Sequence, residues 1–167
     1  MTIDQQYEND RLAALRGYGM LDTPNEPEFD AIVREAASLL GAPTALISLV
    51  DEHRQWFKAR VGLDASETPR SISFCTHAIR GKDVFVVEDA TRDQRFANNP
   101  LVTGDPNIRF YAGTPLRSSK GHRVGTLCVI DDKPRREPTA NEKARLAELA
   151  DRTIAAFERR SAAKLPA

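Results

Sequence analysis

The chain has 167 residues, about one domain's length, with 41% hydrophobic and 29% charged side chains, the balance of a soluble globular protein able to bury a core. Its 24 basic and 24 acidic residues cancel, which argues against a nucleic-acid or anionic-membrane binder, because phosphate contacts demand a basic excess. No apolar stretch approaches the roughly 20 residues that span a bilayer, and the polar, acidic opening MTIDQQYENDR is unlike a secretory leader, so the expected location is the cytoplasm, with Cys75 and Cys128 as reduced thiols.

The first expected element is a helix over residues 4–17, whose narrow stripe of Leu12 and Leu15 needs a packing partner. A second helix is expected over 28–40, where Phe29, Ile32, Val33, Ala36, Leu39 and Leu40 follow helical spacing and Gly41 stands where a left-handed cap belongs. The pattern then changes to strands. Thr44–Val50 and Gln55–Val61 are joined by a short turn, and Val84–Val87 is a β-branched and aromatic run. Ile108–Leu116 and Val124–Ile130 flank a second turn rich in breakers. Between these strands, Arg70–Gly81 is expected to hold a short helix, and 91–107, rich in Asn, Asp, Pro and Gly, reads as a long irregular excursion of the kind that carries function. A last helix, 139–160, opens on the capping box Thr139-Ala-Asn-Glu142. Its Leu146, Ala150, Thr153 and Phe157 recur at 4, 3, 4 spacing. The expected fold class is α+β: a central antiparallel sheet of about five to six strands, with the terminal helices on one face and a pocket on the other. The whole chain, 1–167, reads as one domain with its core at about 8–160 and a tail at 161–167.

The chemistry-bearing motifs are few. There is no phosphate-cradling loop, no dinucleotide fingerprint and no nucleophile elbow. Ser161-Ala-Ala-Lys164 matches a Ser-x-x-Lys pattern without its companion motifs, a chance match. Cys75, His77, Cys128, His53 and His122 are too dispersed to predict a metal site, and buried thiols with surface imidazoles account for them. Cys75 and Cys128 lie 53 residues apart, so only the fold decides whether they meet. Arg109 and Tyr111 are expected on one strand face and Phe110 on the other. Two readings of Arg109 stay open: a guanidinium offered to an anionic or polar ligand, or an ion pair to Asp89 or Asp105 that holds the excursion down. Trp56 and Phe57 likewise split between faces. The candidate pocket residues are Trp56, Cys75, Phe96, Arg109, Tyr111 and Cys128; no catalytic or metal-binding residue is assigned.

The succession Tyr18-Gly-Met-Leu-Asp-Thr-Pro24, Ala45–Asp51, Arg54-Gln-Trp-Phe-Lys58, Phe74-Cys-Thr-His-Ala-Ile79, Arg95–Val102, Ile108-Arg-Phe-Tyr-Ala-Gly113 and Gly125-Thr-Leu-Cys-Val-Ile-Asp131 resembles bacterial GAF domains of the kind that precede histidine kinase or diguanylate cyclase modules. The resemblance covers about residues 8–160. It implies an antiparallel sheet with a small-molecule pocket, pairing into homodimers through the terminal helices, and a regulatory rather than catalytic role in signal transduction, as in two-component systems. The ligand stays unidentified and the cofactor unknown. The thioether cysteine of bilin-binding members has no counterpart in 105–110, and the cysteine motif of free methionine sulfoxide reductases is absent. Two alternatives remain, a structural dimerisation module without a ligand and a thiol redox enzyme using Cys75.

Overall fold

A computed structural model of the chain describes residues 2–163. Helix α1 (Ile3–Gly17) is opened by a reciprocal cap: the Thr2 hydroxyl accepts from the Gln5 amide and the Gln5 side chain accepts from the Thr2 amide. Helix α2 (Pro27–Leu40) begins on Pro27, whose missing N–H costs nothing in a first turn. It stops at Gly41 with φ 63°, the left-handed turn glycine takes without strain. Helix α5 (Ala140–Ala163) carries its expected capping box, with Thr139 and Glu142 exchanging hydrogen bonds of 2.9 and 3.1 Å. It runs past the expected end at 160, taking in Ser161, whose hydroxyl donates to the Gly17 carbonyl at 3.2 Å; the last four residues of the expected tail lie outside the described residues.

Six strands form one sheet: β1 (Thr44–Val50), β2 (Arg54–Val61), β3 (Glu67–Pro69), β4 (Phe85–Val87), β5 (Phe110–Arg117) and β6 (Arg123–Asp131). Their order is β3-β2-β1-β6-β5-β4, every neighbouring pair antiparallel. Helices α1, α2 and α5 cover one face, as the sequence implies. There Leu15, Phe29, Ile32, Leu146, Leu149 and Phe157 pack against Ile47, Leu49, Trp56, Ala112 and Leu127. The stripe Leu146, Ala150, Thr153 and Phe157 is thereby buried within the chain's own core.

One irregularity of the sheet carries a buried charge. Ile47 pairs with Ala59 and Ser48 with Phe57, so Lys58 is the extra residue of a β-bulge. Lys58 faces the helices, on the same strand face as Trp56, and is fully buried there, a placement that demands partners. Its amine meets a Glu26 carboxylate oxygen, the Thr23 hydroxyl and the Pro24 carbonyl, each at 2.7 Å. Lys58 thus fixes the segment that leads into α2.

The opposite face carries a second core of Leu46, Phe57, Phe74, Cys75, Phe96, Val102, Ile108, Tyr111 and Cys128. Its cover is made of short pieces: α3 (Cys75–Ala78), a 3-10 turn at Ala90–Arg92 and α4 (Pro100–Thr103). Trp56 and Phe57 fall on opposite faces, Trp56 with the helices and Phe57 here.

Candidate functional site

The face away from the long helices contains a cleft of about 460 Å³, within the size range of small-molecule pockets. Leu46, Phe57, Ile108 and Ile130 supply apolar wall from the sheet side, and Leu63 and Leu101 from the cover. Thr44, Gln55 and Thr68 add uncharged polar groups. Among the described residues, the charged groups that line the cleft are Asp64, Asp105 and Asp132, all exposed at the rim, with no lysine or arginine. Leu46, Gln55, Leu101, Ile108 and Ile130 also bound a smaller void of about 20 Å³, closed by Phe74, Cys75, Tyr111 and Cys128. That is room for about one water-sized molecule.

Strand register builds this inner end. Cys128 lies opposite Leu46 on one side and Gly113 on the other. A Cβ at Gly113 would stand 2.3 Å from the Tyr111 hydroxyl, so the bare glycine lets the tyrosine lie across it and reach the thiols. Tyr111 Oη donates to Cys75 Sγ at 3.1 Å, and the Thr126 hydroxyl is 3.0 Å from the same sulfur. Burial opposes ionisation of Cys75, but hydrogen bonds from Cys128, Thr126, Tyr111 and Ser48 outweigh it and lower its pKa to about 6. Cys128 is pushed up by its hydrogen bond to Cys75, by burial and by the charge beside it. Burial and the two sulfurs also raise Tyr111 well above the usual phenol range.

The cover is latched down by backbone-directed bonds. Asn99 caps α4 through the Leu101 amide at 2.9 Å and donates to the Ile72 carbonyl at 3.0 Å. Gln55 Oε1 accepts from Ser48 and Ser73 at 3.0 and 2.8 Å, and its Nε2 donates to Thr68 at 2.6 Å. Behind the void, Phe74 and Phe96 stack at 4.0 Å, with the Arg95 guanidinium 4.9 Å from the Phe85 ring and 5.3 Å from that of Phe96.

Of the six pocket candidates, Cys75, Tyr111 and Cys128 converge on the void, and Phe96 stands one ring behind it. Trp56 lies on the far side of the sheet among the helices. Arg109 precedes β5 instead of lying in it, and its guanidinium donates to the Val102 and Ile108 carbonyls at 2.8 and 3.1 Å. It therefore clamps the excursion through backbone carbonyls, not through an ion pair to Asp89 or Asp105. The walls Leu46, Gln55, Ile108 and Ile130 were not singled out from sequence. The signal available for two of them was alternation: with Cys128 on the pocket face, Ile130 follows two residues along and Leu46 follows from the β1–β6 register.

His77 turns away from the thiols toward Phe85 and Phe96, with centroids 6.4 and 4.9 Å away. Burial and the charges of Arg80 and Arg95 lower its pKa. Among the described residues no group of three or more His, Cys, Asp or Glu could hold a metal ion, and no helix is long and apolar enough to cross a membrane. A larger groove, about 830 Å³, runs beside β4 between Val86–Asp93 and Pro134–Glu137. It is a shallow surface in which Arg135 pairs with Asp131 and Arg92 with Asp89. The cleft over the second core is the better-formed binding site.

A six-stranded antiparallel sheet, helices at one face and a cleft at the other define a sensor-type α+β domain. The chain belongs to the GAF domain family, whose model matches residues 25–157. It is 50% identical over 128 residues to the cyclic di-GMP phosphodiesterase PA2567 of Pseudomonas aeruginosa, a match that takes in 77% of this chain and 22% of that protein. The chain thus corresponds to about a fifth of that relative's length. In fold it is similar to the GAF domain of an Acinetobacter phosphoenolpyruvate-protein phosphotransferase, with TM-score 0.67 and 19% identity over all of both chains. It is also similar to a type II free methionine-R-sulfoxide reductase of Thermoplasma acidophilum, with TM-score 0.63 and 16% identity over 78% of this chain and 90% of that one.

Proposed function

We propose that this GAF domain is a regulatory sensor whose cleft takes a small, neutral or cationic amphiphilic molecule. The observation that carries the reading is the cleft lining, with apolar walls, a few amide and hydroxyl groups, and aspartates as the sole charged side chains among the described residues. A phosphate ester or cyclic nucleotide requires guanidinium, ammonium or a well-formed helix N-terminus to offset its charge. The guanidinium that the sequence offered, Arg109, is occupied by backbone carbonyls. An aspartate rim instead attracts cations and repels anions.

The likeness to PA2567 supports an output in cyclic di-GMP turnover, narrowing the histidine kinase or diguanylate cyclase effector that the family resemblance implies. Pairing into a homodimer is part of the proposal. Because the stripe of α5 is used internally, the pairing surface falls to the outward faces of the terminal helices, where α1 exposes Ile3 and Tyr7. Replacing both by serine is expected to shift the molecule from dimer to monomer in light scattering; a monomeric parent protein overturns this part.

Native mass spectrometry of the freshly purified protein tests the ligand reading. An added mass that is lost on denaturation, belonging to a neutral or basic compound, is expected. In thermal-shift titrations, small amphiphilic amines are expected to raise the melting temperature and cyclic nucleotides to leave it unchanged. A bound nucleotide or organic phosphate would overturn the assignment.

A further inference from the structure

A pair of thiols lies beneath the cleft, and the geometry points to a peroxide-responsive switch in which Cys75 and Cys128 close a disulfide joining α3 to β6. Both thiols are free and fully buried. Both border the same small void, and Tyr111, whose hydroxyl bonds Cys75 Sγ at 3.1 Å, lies over Gly113, the register partner of Cys128. The void admits a molecule about the size of water and excludes bulkier oxidants. Such a pair, brought together by the fold from α3 and β6, is what intramolecular oxidation requires. This inference rests on the thiols alone and stands whether or not the cleft holds a ligand.

The two sulfurs are not equivalent. Cys75 Sγ accepts from Tyr111 Oη and lies beside the Thr126 hydroxyl, so the charged form is stabilised there and Cys75 is the attacking sulfur. It takes one oxygen from hydrogen peroxide. The O–O bond breaks, the other oxygen departs with the thiol's proton as water, and Cys75 becomes a sulfenic acid. The sulfur of Cys128 then attacks Cys75, the S–O bond breaks, and the hydroxyl leaves with the Cys128 proton as a second water. Two thiols are oxidised to one disulfide, and the peroxide is reduced to two waters. His77, turned toward Phe85 and Phe96, takes no part. The crosslink removes the acceptor of the Tyr111 hydroxyl and pins α3 to β6 under the inner end of the cleft, which couples oxidation to the shape of the ligand site.

The experiment uses the full chain, reduced, desalted and titrated with hydrogen peroxide, then alkylated after denaturation. The expected result is simultaneous loss of both thiols, an intact mass lower by two hydrogens, a Cys75–Cys128 crosslinked peptide and a higher melting temperature, all reversed by dithiothreitol. In Cys128→Ala, Cys75 is expected to stop at the sulfenic acid and to be captured by dimedone when the oxidised protein is unfolded in its presence. In Cys75→Ala, oxidation of Cys128 is expected to slow at least about tenfold, since the thiol that remains is fully buried in the apolar strand β6. Thiols that survive peroxide sufficient to oxidise free glutathione would overturn the proposal. So would an intermolecular crosslink, oxidation of Cys75 to the sulfinic acid without a crosslink, or a Cys75→Ala variant that reacts as fast as the parent.

Discussion

The two faces of the sheet are built on different principles. On the helix side, three helices of 14 to 24 residues lay aliphatic stripes on alternate strand residues. Charges close the seams: Lys58 with Glu26, and Arg160 with Glu26 and Glu28. On the cleft side the cover consists of four-residue helices and irregular chain, held by stacked aromatics and side-chain-to-backbone bonds. Buried hydroxyl, amide and thiol groups replace part of the apolar packing there. The helix side supplies stability, and the cleft side, with less regular structure to hold, can adjust to an occupant or to a crosslink.

The largest expected effect tests that contrast directly. Phe157 is fully buried between the Tyr18 and Phe29 rings, with centroids at 5.5 and 5.3 Å. Phe157→Ala should lose about 3–5 kcal/mol in urea unfolding, because the rigid helices cannot close over the cavity. Phe96→Ala removes an equally buried ring but from beneath loops able to settle inward, and should lose roughly 2–3 kcal/mol. Equal losses would break the contrast.

A second effect concerns the bridge between the faces. Glu8 on α1 binds Arg11 at 2.8 Å and Arg70, from the chain leading into α3, at 2.6 Å. Partial burial raises the Glu8 pKa, but hydrogen bonds and charge from Arg11 and Arg70 override it and lower it from 4.5 to about 2. As pH falls, the unfolded chain therefore takes up this proton first. The stability due to Glu8 is fully present above about pH 4.5 and is lost as pH falls toward 2. With its partial solvent exposure, the contribution is about 1–2 kcal/mol. Glu8→Gln should flatten the acid limb of a pH–stability curve by that amount; an unchanged limb would place the acid sensitivity elsewhere.

The third effect is local. Arg109→Ala frees the Val102 and Ile108 carbonyls from their clamp and should lose about 1–2 kcal/mol. Hydrogen exchange should quicken across 91–107 and not in α2 or α5. Faster exchange on both sides would mean that the clamp supports the whole fold and not only the cover.

Helices α1, α2 and α5 and five of the strands were legible because each carries its own periodicity and its own punctuation, such as Gly41 and the Thr139–Glu142 box; α4, inside the 91–107 excursion, was not. Strand β3 was not legible, because Glu67-Thr68-Pro69 has no apolar alternation and exists only as an edge partner of β2. The site was legible in its members but not in its sides. Parity separates Trp56 from Phe57, yet which of them meets the helices depends on how the sheet is covered. Parity also grouped Arg109 with Tyr111, and failed because the strand begins at Phe110. The thiols could not be joined on paper, since a 53-residue separation carries no geometry.

The smallest stability effect separates chemistry from packing on the cleft side. Tyr111→Phe keeps the ring on Gly113 and removes one hydroxyl that donates to Cys75 and lies 3.5 Å from Thr126. The loss in unfolding free energy should stay near or below about 1 kcal/mol, because the partners are left with one hydrogen bond fewer and not with an empty cavity. The thiol should respond more strongly. A donor to the charged form favours it, so its removal raises the Cys75 pKa. The pH at which peroxide reactivity reaches half its maximum should move upward, and the rate at neutral pH should fall. If stability drops by several kcal/mol while the pH profile stays in place, Tyr111 is a packing residue. If the profile moves while stability barely changes, the cleft side holds its polar groups for reactivity, as the helix side holds its apolar ones for stability.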